Sequence, residues 1–343
     1  MFVRNAWYVA AYATEVGEAP LARTLLDQPM VLYRCPDGRP VALEDRCCHR
    51  SLPLSMGRVI GDRLQCGYHG LEFDPTGACV RVPGQTTVPP GAHVGRWPAV
   101  ERWGFVWVWP GAAEAADPAL IPDWHWLGDS GWMVNHGALL PLACSYELVT
   151  DNLQDLSHLS YVHTSSIGND AILDFPIRTE RTGDMVRMTR WIPDRPPPPL
   201  YARVGNYDGP VDRWQVVETT PPAFTIVHAG CVPAGLTDRR TVPAHGVHVK
   251  VLNAPTPQTE RSCIYFYAHA FNFGQGDAAL RKDMFDTFLG IFREDIGIME
   301  AQQAVMDRNP QAPQIDINVD APGIACRRMV RERIAAESQG ARA

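Results

Sequence analysis

Short apolar and alternating runs, separated by turn residues, fill the first third of the chain. Val31–Arg34, Val41–Glu44 and Phe105–Trp109 are such runs, and Gly, Pro and Asp occupy the gaps between them. In the last of these runs aromatic residues alternate with valines, which is typical of a strand buried on both faces. The pattern predicts a small all-β domain over residues 1–115, with a linker rich in Gly, Ala and Asp at 110–122.

The remainder, residues 116–343, is predicted to form a second domain of strands and one long helix. Apolar runs predict strands at 185–191, 224–228, 247–252 and 264–269, and four consecutive prolines at 196–199 predict an extended loop. Residues 277–306 follow a helical period, with Asp277 as the N-cap. The predicted fold class is α+β.

The apolar face of this helix contains one acidic residue. On a wheel of about 100° per residue, Asp295 falls in the middle of an apolar stripe that includes Phe288 and Met306. The other acidic residues considered fall on the solvent side: Asp283, Asp286, Glu294 and Glu300. A buried carboxylate is unfavourable unless it is paired or binds metal, so Asp295 is a candidate metal ligand. Pairing with a buried Arg or capping of a neighbouring element is the alternative. Gln302, on the same stripe, is a candidate to support the site.

Composition and charge exclude several classes of protein. Hydrophobic residues make up 45% and charged residues 20% of the chain, as in an ordinary globular protein. The formal net charge of −7 argues against a nucleic-acid partner, because phosphate binding requires clustered Lys and Arg. The apolar runs are too short to span a membrane, and the N-terminus lacks the pattern of a signal peptide. Nine cysteines, several of them isolated, indicate reduced thiols, so we expect a cytoplasmic protein without a membrane partner.

Two cysteines and two histidines form a paired motif in the predicted β domain. Cys47 and His49 make a C-x-H sequence, and Cys66 and His69 make C-x-x-H after a gap of sixteen residues. The set resembles the ligands of a Rieske [2Fe–2S] cluster, in which two Cys hold one iron and two His hold the other. A structural zinc site is the alternative, but zinc ligands more often have C-x₂₋₄-C or H-x₃₋₅-H spacing. The motif therefore predicts transfer of single electrons.

His158 and His163 form a second constellation downstream. Five residues correspond to about 140° on a regular helix, so the two rings share a metal only if the helix ends or distorts before His163. Alone they would be interpreted as unrelated histidines. With a Rieske-type motif upstream, a His pair completed by one carboxylate resembles the facial triad of non-haem Fe(II) oxygenases, which leaves positions open for O₂.

The chain is similar to the α-subunits of Rieske non-haem iron oxygenases, and more closely to those of vanillate O-demethylase, dicamba monooxygenase and toluenesulfonate methyl-monooxygenase. The similarity runs nearly end to end and is carried by segments 5–10, 47–70, 104–110, 151–158, 162–167, 294–295 and 302–303. One departure is Cys48, where the family usually has Pro. It leaves an ambiguity between Cys47 and Cys48 as ligand.

This resemblance implies an N-terminal Rieske domain followed by a helix-grip catalytic domain, an antiparallel sheet with a long C-terminal helix. The implied cluster ligands are Cys47, His49, Cys66 and His69, and the implied ligands of a mononuclear Fe(II) are His158, His163 and Asp295. Asp155 matches the family's bridging carboxylate, which accepts hydrogen bonds from an iron-ligating His and from the cluster-ligating His of the next subunit in a ring of three. Asn152 is a candidate to support the iron site, and a helix-surface Asn is the alternative.

The resemblance also implies O-demethylation of a methoxylated aromatic acid such as vanillate to a phenol and formaldehyde. Electrons would come from a separate NAD(P)H-dependent reductase that carries FMN and a [2Fe–2S] centre. Hydroxylation of the ring or methyl group of another aromatic acid, and a Rieske ferredoxin, are the alternatives. Candidate substrate contacts are Arg203, Asn206, His245 and His248, with aromatic walls from Tyr201, Phe224, Phe266 and Phe271. Four arginines between 327 and 333 are interpreted as a solvated helix face, with reductase docking as the alternative.

Overall fold

The computed structural model describes residues 1–168 and 170–340, which divide into two compact units. The first comprises Met1–Trp124, Thr256–Glu260 and 337–340, and the second comprises His125–Pro255 and Arg261–Ala336. The boundary expected between residues 115 and 116 stays a prediction. Residues 169 and 341–343 of the predicted second domain lie outside the described residues.

The first unit is built from small antiparallel sheets. Its strands are β1 (Tyr8–Tyr12), β2 (Leu21–Leu25), β3 (Gln28–Arg34), β4 (Pro40–Glu44), β5 (Arg58–Ile60), β6 (Arg63–Gln65), β7 (Glu72–Phe73), β8 (Cys79–Arg81), β9 (Arg96–Trp97), β10 (Ala99–Arg102) and β11 (Phe105–Val108). They pair in the orders β1-β11-β10, β2-β3-β4-β9 and β5-β6-β7-β8. All four residues of β11 are buried, because it is the central strand of its sheet and apolar on both faces. The all-β prediction for this part of the chain is confirmed.

The second unit contains one large antiparallel sheet and the main helices. The strands are β12 (Met133–His136), β13 (Leu140–Leu142), β14 (Arg178–Thr182), β15 (Met185–Arg195), β16 (Val211–Thr220), β17 (Phe224–Pro233), β18 (Val247–Thr259) and β19 (Ser262–Phe271). The helices are α1 (Tyr146–Gln154), α2 (Leu159–Val162), α3 (Pro199–Gly205), α4 (Ala278–Arg308) and α5 (Ala321–Gly340). The last four residues of β18 and of α5 belong to the first unit. The sheet order is β12-β19-β18-β17-β16-β15-β14, and β13 also pairs with β19. A sheet followed by a long helix confirms the predicted fold class.

The long helix α4 packs its apolar stripe against this sheet. Asp277 caps its start, and its side chain accepts a hydrogen bond from the backbone N–H of Leu280 at 2.9 Å. The rings of Phe292 and Tyr267 lie 4.3 Å apart between centroids, which joins helix and sheet. The buried residues of the helix are Met284, Phe288, Ile291, Phe292, Asp295, Met299 and Gln303.

The stripe ends earlier than the helical wheel predicts. Met306 and Gln302 are exposed, so both were wrongly assigned to the buried face. Beyond Met299 the buried position belongs to Gln303, whose side-chain oxygen accepts a hydrogen bond from Ser145 N at 2.9 Å. A wheel gives directions around a helix but not the point where its packing partner ends.

Two further expectations concern the ends of elements and the cysteines. The extended segment of the proline run covers only 196–198, because Pro199 is the first residue of α3, where its fixed φ suits a helix start. All nine cysteines are free thiols.

In the part of the chain that the structure describes, no helix combines the length and the apolar content needed to cross a membrane.

Candidate metal centres and active site

Two loops of the first unit present the predicted cluster ligands in the same way. In one, the carbonyl of Cys47 accepts a hydrogen bond from Ser51 N at 2.9 Å, and in the other the carbonyl of Cys66 accepts from Gly70 N at 3.2 Å. Ser51 and Gly70, each four residues after its cysteine, have φ of 57° and 72°. Glycine adopts this left-handed conformation readily, but Ser51 has a side chain and residues of that kind adopt it rarely.

The thiols of this site are buried and its imidazoles are exposed. Cys47 and Cys66 are 2% and 3% exposed. The rings of His49 and His69 are at the surface, with centroids 4.6 Å apart. Burial and, to a lesser extent, the hydrogen-bonded Cys66 thiol raise the pKa of the Cys47 thiol to about 11, so a bound cation must displace a proton. A buried thiolate end and an exposed imidazole end suit the two different irons of a Rieske cluster.

Cys48 occupies a different position from its neighbour. It is partly buried and packs against the apolar core of the first unit, and burial raises the pKa of its thiol. Cys47 is the thiol that hydrogen-bonds with Cys66. The geometry therefore favours Cys47 as the ligand.

A break in the chain at Asp155 places the second pair of histidines. Asp155 leaves helical geometry (φ −106°, ψ 87°), which ends α1 at Gln154, and its carboxylate accepts a hydrogen bond from Ser157 N at 2.9 Å. A 3₁₀ turn then carries His158, and α2 ends at Val162, so His163 lies beyond the helix. The two rings are therefore not held at the angle that a regular helix would impose.

His158, His163 and Asp295 converge. Their ligand atoms all lie within 4.8 Å of one another, and no other such group of three occurs among the described residues. His163 Nε2 is 3.1 and 3.2 Å from the two carboxylate oxygens of Asp295, and His158 Nε2 is 3.5 Å from Oδ1. His163 is 1% and Asp295 6% exposed.

Hydrogen bonds fix the orientation of both rings. His158 Nδ1 donates to the backbone carbonyl of Asp155 at 2.5 Å, and His163 Nδ1 donates to Glu294 Oε2 at 2.6 Å. Each ring therefore turns Nε2 toward Asp295, and Asn152 Nδ2 donates to Asp295 Oδ1 at 3.3 Å. Burial alone lowers the pKa of His163, but Asp295 and Glu294 outweigh burial and raise it.

Two details differ from the expectations. Glu294, assigned to the solvent side, does have a 46% exposed side chain, yet its carboxylate reaches His163. The acceptor for His158 is the carbonyl of Asp155 and not its carboxylate. The hydrogen bonds of that carboxylate use Oδ1, to the N–H and hydroxyl of Ser157, and Oδ2 has no hydrogen bond within the described residues.

A largely apolar cavity adjoins the three converging side chains. Its polar lining consists of Asn152, His158, His163, Asp295, Arg213, Gln215 and Asn253. The apolar wall comes from α1, α2, the sheet and α4, and it includes Leu156, Val227, Val251, Phe288 and Phe292. Tyr201 and Leu200 of α3 complete it. A cavity of this composition suits an aromatic ring with few polar substituents.

Several predicted substrate contacts lie elsewhere. Asn206 is exposed and ends α3 in a left-handed conformation (φ 49°, ψ 48°). His248 lies on the opposite face of the sheet, where its ring is 5.0 Å from that of Trp214. Arg203 is exposed and pairs with Asp283 at 2.8 Å. The remaining candidates do not line the cavity either: His245, Phe224, Phe266, Phe271 and Gln302. Of the predicted contacts, Asn152 and Tyr201 do line it.

The arginines between 327 and 333 are partly engaged within the chain. Arg327 pairs with Asp151, and Arg333 pairs with Asp184 at 2.6 Å. This arrangement fits the interpretation of a solvated helix face with local ion pairs.

Comparison with known proteins agrees with both halves of the chain. Residues 6–92 match the Rieske [2Fe–2S] domain, and residues 142–336 match the vanillate O-demethylase oxygenase C-terminal domain. The chain belongs to the vanillate O-demethylase oxygenase family. It is the oxygenase component of an iron–sulfur monooxygenase, as the resemblance predicted.

Similar proteins cover nearly the whole chain. The vanillate O-demethylase oxygenase subunit of Pseudomonas sp. (strain HR199 / DSM 7063) is 38% identical over 99% of this chain and 97% of its own length. The toluene-4-sulfonate monooxygenase iron–sulfur subunit of Comamonas testosteroni is 39% identical over 94% of each. A crystal structure of dicamba monooxygenase with non-haem iron and dicamba has a TM-score of 0.84 and 32% identity, covering 98% of this chain and 99% of that one.

Proposed function

We propose that His158, His163 and Asp295 hold one Fe(II). Two imidazoles and one carboxylate within 4.8 Å of one another carry this proposal, because that donor set is typical of non-haem Fe(II) oxygenases. The apolar cavity beside the three residues and the iron in the dicamba monooxygenase structure support it. When bound, the iron would supply activation of O₂ for insertion into a substrate C–H bond.

We propose in the same way that Cys47, Cys66, His49 and His69 hold the [2Fe–2S] cluster. The two thiols are buried side by side, and the two imidazoles are at the surface. An exposed imidazole end gives a partner protein access to the iron through which electrons leave. A separate reductase that uses NAD(P)H and carries FMN and its own [2Fe–2S] centre would supply these electrons.

The reaction we propose is O-demethylation of a methoxylated aromatic acid. O₂, two electrons and two protons convert an aryl methyl ether into its hydroxymethyl ether and water. The hydroxymethyl ether then breaks its C–O bond to give a phenol and formaldehyde. Names of relatives at 38–40% identity, among them vanillate and dicamba O-demethylases, support this choice.

The residues of the chain prepare this chemistry by position and by exclusion of water. Glu294 and the Asp155 carbonyl orient the two imidazoles, and Asn152 holds Asp295. Phe288 and Phe292 form an apolar wall against which an aromatic ring packs. The space between the side chains is about 90 Å³. Ligand cavities are usually several hundred Å³, so we expect the cavity to enlarge when substrate enters.

We further propose that three chains form a ring in which the cluster of one serves the iron of the next. The groove beside Asp155 and His158 is bordered by exposed apolar side chains, among them Ile298, Val305 and Ile315. Apolar residues are also exposed in and beside the second cluster loop: Tyr68 at 65% and Met56, next to Gly67, at 68%. Exposed apolar patches of this kind mark protein interfaces. Asp155 Oδ2, which has no hydrogen bond within the described residues, would accept one from His69 of the neighbouring chain.

Asp155→Asn tests this bridge. The amide oxygen can still accept from Ser157, but the amide nitrogen that replaces Oδ2 cannot accept from an imidazole. We expect both metals and the ring to persist while turnover falls at least about 100-fold, and Asp174→Asn, at an exposed carboxylate, to behave as wild type. Iron analysis, sedimentation and the rate of cluster reoxidation by O₂ with substrate give the result. Normal turnover in Asp155→Asn would refute the bridge.

Formaldehyde release tests the reaction. The purified chain with a suitable reductase should release one formaldehyde for each vanillate consumed. Oxygen uptake on aromatic acids without formaldehyde from any methoxybenzoate would instead indicate ring or methyl hydroxylation. Reduction of the cluster without oxygen uptake on any aromatic would indicate an electron carrier.

A further inference from the structure

The wall of the substrate cavity contains a buried guanidinium. Arg213 lies on β16, and alternation along this strand points Arg213 and Gln215 into the cavity while Trp214 lines the opposite face of the sheet. Arg213 is 2% exposed. Among the described residues that line the cavity, it is the only Lys or Arg.

Two titratable neighbours of Arg213, Tyr201 and Cys231, are neutral at physiological pH. Its guanidinium lies 5.4 Å from the ring centroid of Tyr201, and Nη2 donates to the carbonyl of Ile167 at 3.4 Å. Burial lowers the pKa of Arg213. Burial also raises the pKa of the Tyr201 hydroxyl and raises that of the Cys231 thiol to about 11, so both stay protonated. A guanidinium remains charged even when buried, so the cavity has a positive wall.

We propose that Arg213 binds the anionic group, carboxylate or sulfonate, of the aromatic substrate. The proposal rests on the function proposed above and names the residue that selects the acid. Arginine presents paired N–H groups that match both anions, and pairing in an apolar cavity offsets the cost of burying each charge. Since His158, His163 and Asp295 border the same cavity, anchoring the acid on the wall decides which substituent meets them.

This assignment replaces the polar residues expected from the sequence. Arg203, on α3, is exposed and already paired with Asp283. Asn206 and His248 do not line the cavity. Among the described residues that line the cavity, Arg213 is therefore the cation that an acid can reach without entering solvent.

A purely structural role for Arg213 predicts a different result. The hydrogen bond to Ile167 and the contact with Tyr201 also join the segment after His163 to α3. Loss of that connection would weaken the binding of every substrate alike, charged or neutral. Loss of an anion contact weakens only the acids.

The experiment compares each acid with its neutral amide. Vanillate and its carboxamide form one arm, and toluene-4-sulfonate and its sulfonamide form the other. Binding is measured by calorimetry and turnover as kcat and KM, for the metal-loaded wild type, Arg213→Gln and Arg213→Lys. Gln can still donate to Ile167, and Lys keeps the charge. Arg203→Gln is the matched control for loss of a nearby surface arginine.

We expect Arg213→Gln to weaken binding and raise KM for the acid at least about 30-fold, as for removal of one partner of a buried charge pair. The amide should change less than about threefold, and Arg213→Lys should retain part of the preference for the acid. The arm in which Arg213→Gln weakens the acid more than its amide identifies the anion. Arg203→Gln should not change this preference. Equal losses for acid and amide, or none for either, would overturn the proposal. Should the wild type bind vanillate through Arg213 without releasing formaldehyde, the proposed reaction fails while the anion contact stands.

Discussion

Glu294→Ala should weaken binding of Fe(II) while the [2Fe–2S] cluster stays intact. Glu294 accepts the Nδ1–H of His163 at 2.6 Å, a short hydrogen bond to a carboxylate. Removing such a partner of a metal-ligating His typically lowers metal affinity about 10- to 100-fold, or about 1.4 to 2.7 kcal/mol. Because the side chain of Glu294 is 46% exposed, solvent screens the charge. The lower end, about 10-fold, is expected.

The assay is competition between the chain and a colorimetric Fe(II) chelator. Glu294→Gln, which retains an oxygen that accepts from Nδ1, should lose only about threefold. Asp286→Ala, on the exposed part of the same helix and paired with Lys282, is the control and should bind iron as wild type. The visible spectrum of the cluster should be the same in all four proteins. An unchanged iron affinity in Glu294→Ala would refute the reasoning.

Two further predictions concern the cluster loop and the outer face of the sheet. Cys47→Ser should abolish the visible absorption of the cluster, whereas Cys48→Ser should retain it, because Cys47 is the thiol in contact with Cys66. The reverse pattern would show that Cys48 is the ligand. Hydrogen bonds from His228 and Arg187 lower the pKa of Glu218 from 4.5 to about 2. The ionised carboxylate therefore stabilises the folded state fully above pH 4.5, and this stabilisation is lost as the pH falls toward 2. Urea unfolding at pH 7 should therefore show Glu218→Gln less stable than wild type by at most about 3 kcal/mol, with a difference that shrinks below pH 4.5; a difference independent of pH would contradict this.

Periodicity predicted much of the architecture. A strand such as β11 is apolar on both faces, and both faces are removed from water only where the strand lies inside a covered sheet. Asp295 could be found by the same logic, because one carboxylate in an apolar stripe needs a partner. Both inferences use spacing within a single element.

What the sequence could not provide were contacts made across elements. Glu294 falls on the solvent side of the wheel, but its side chain is long enough to reach His163 from there. Arg213 is one of thirty-one Lys and Arg residues, and nothing in its neighbourhood on β16 distinguishes the face that points into the cavity. The alternation of Arg213 and Gln215 with Trp214 is the one available signal, and it fixes a shared face without saying which face it is. Gln302 and Met306 were misplaced because a helical wheel gives directions around α4 but not how far along the helix its neighbours cover it.

The iron content of wild type and Asp295→Ala tests the two-centre account most directly. Plasma emission spectrometry should give about three irons per chain for the wild type, two in the cluster and one in the mononuclear site. Asp295→Ala should give about two and keep the visible absorption of the cluster. Two irons in both proteins, or zinc in place of iron, would contradict the account.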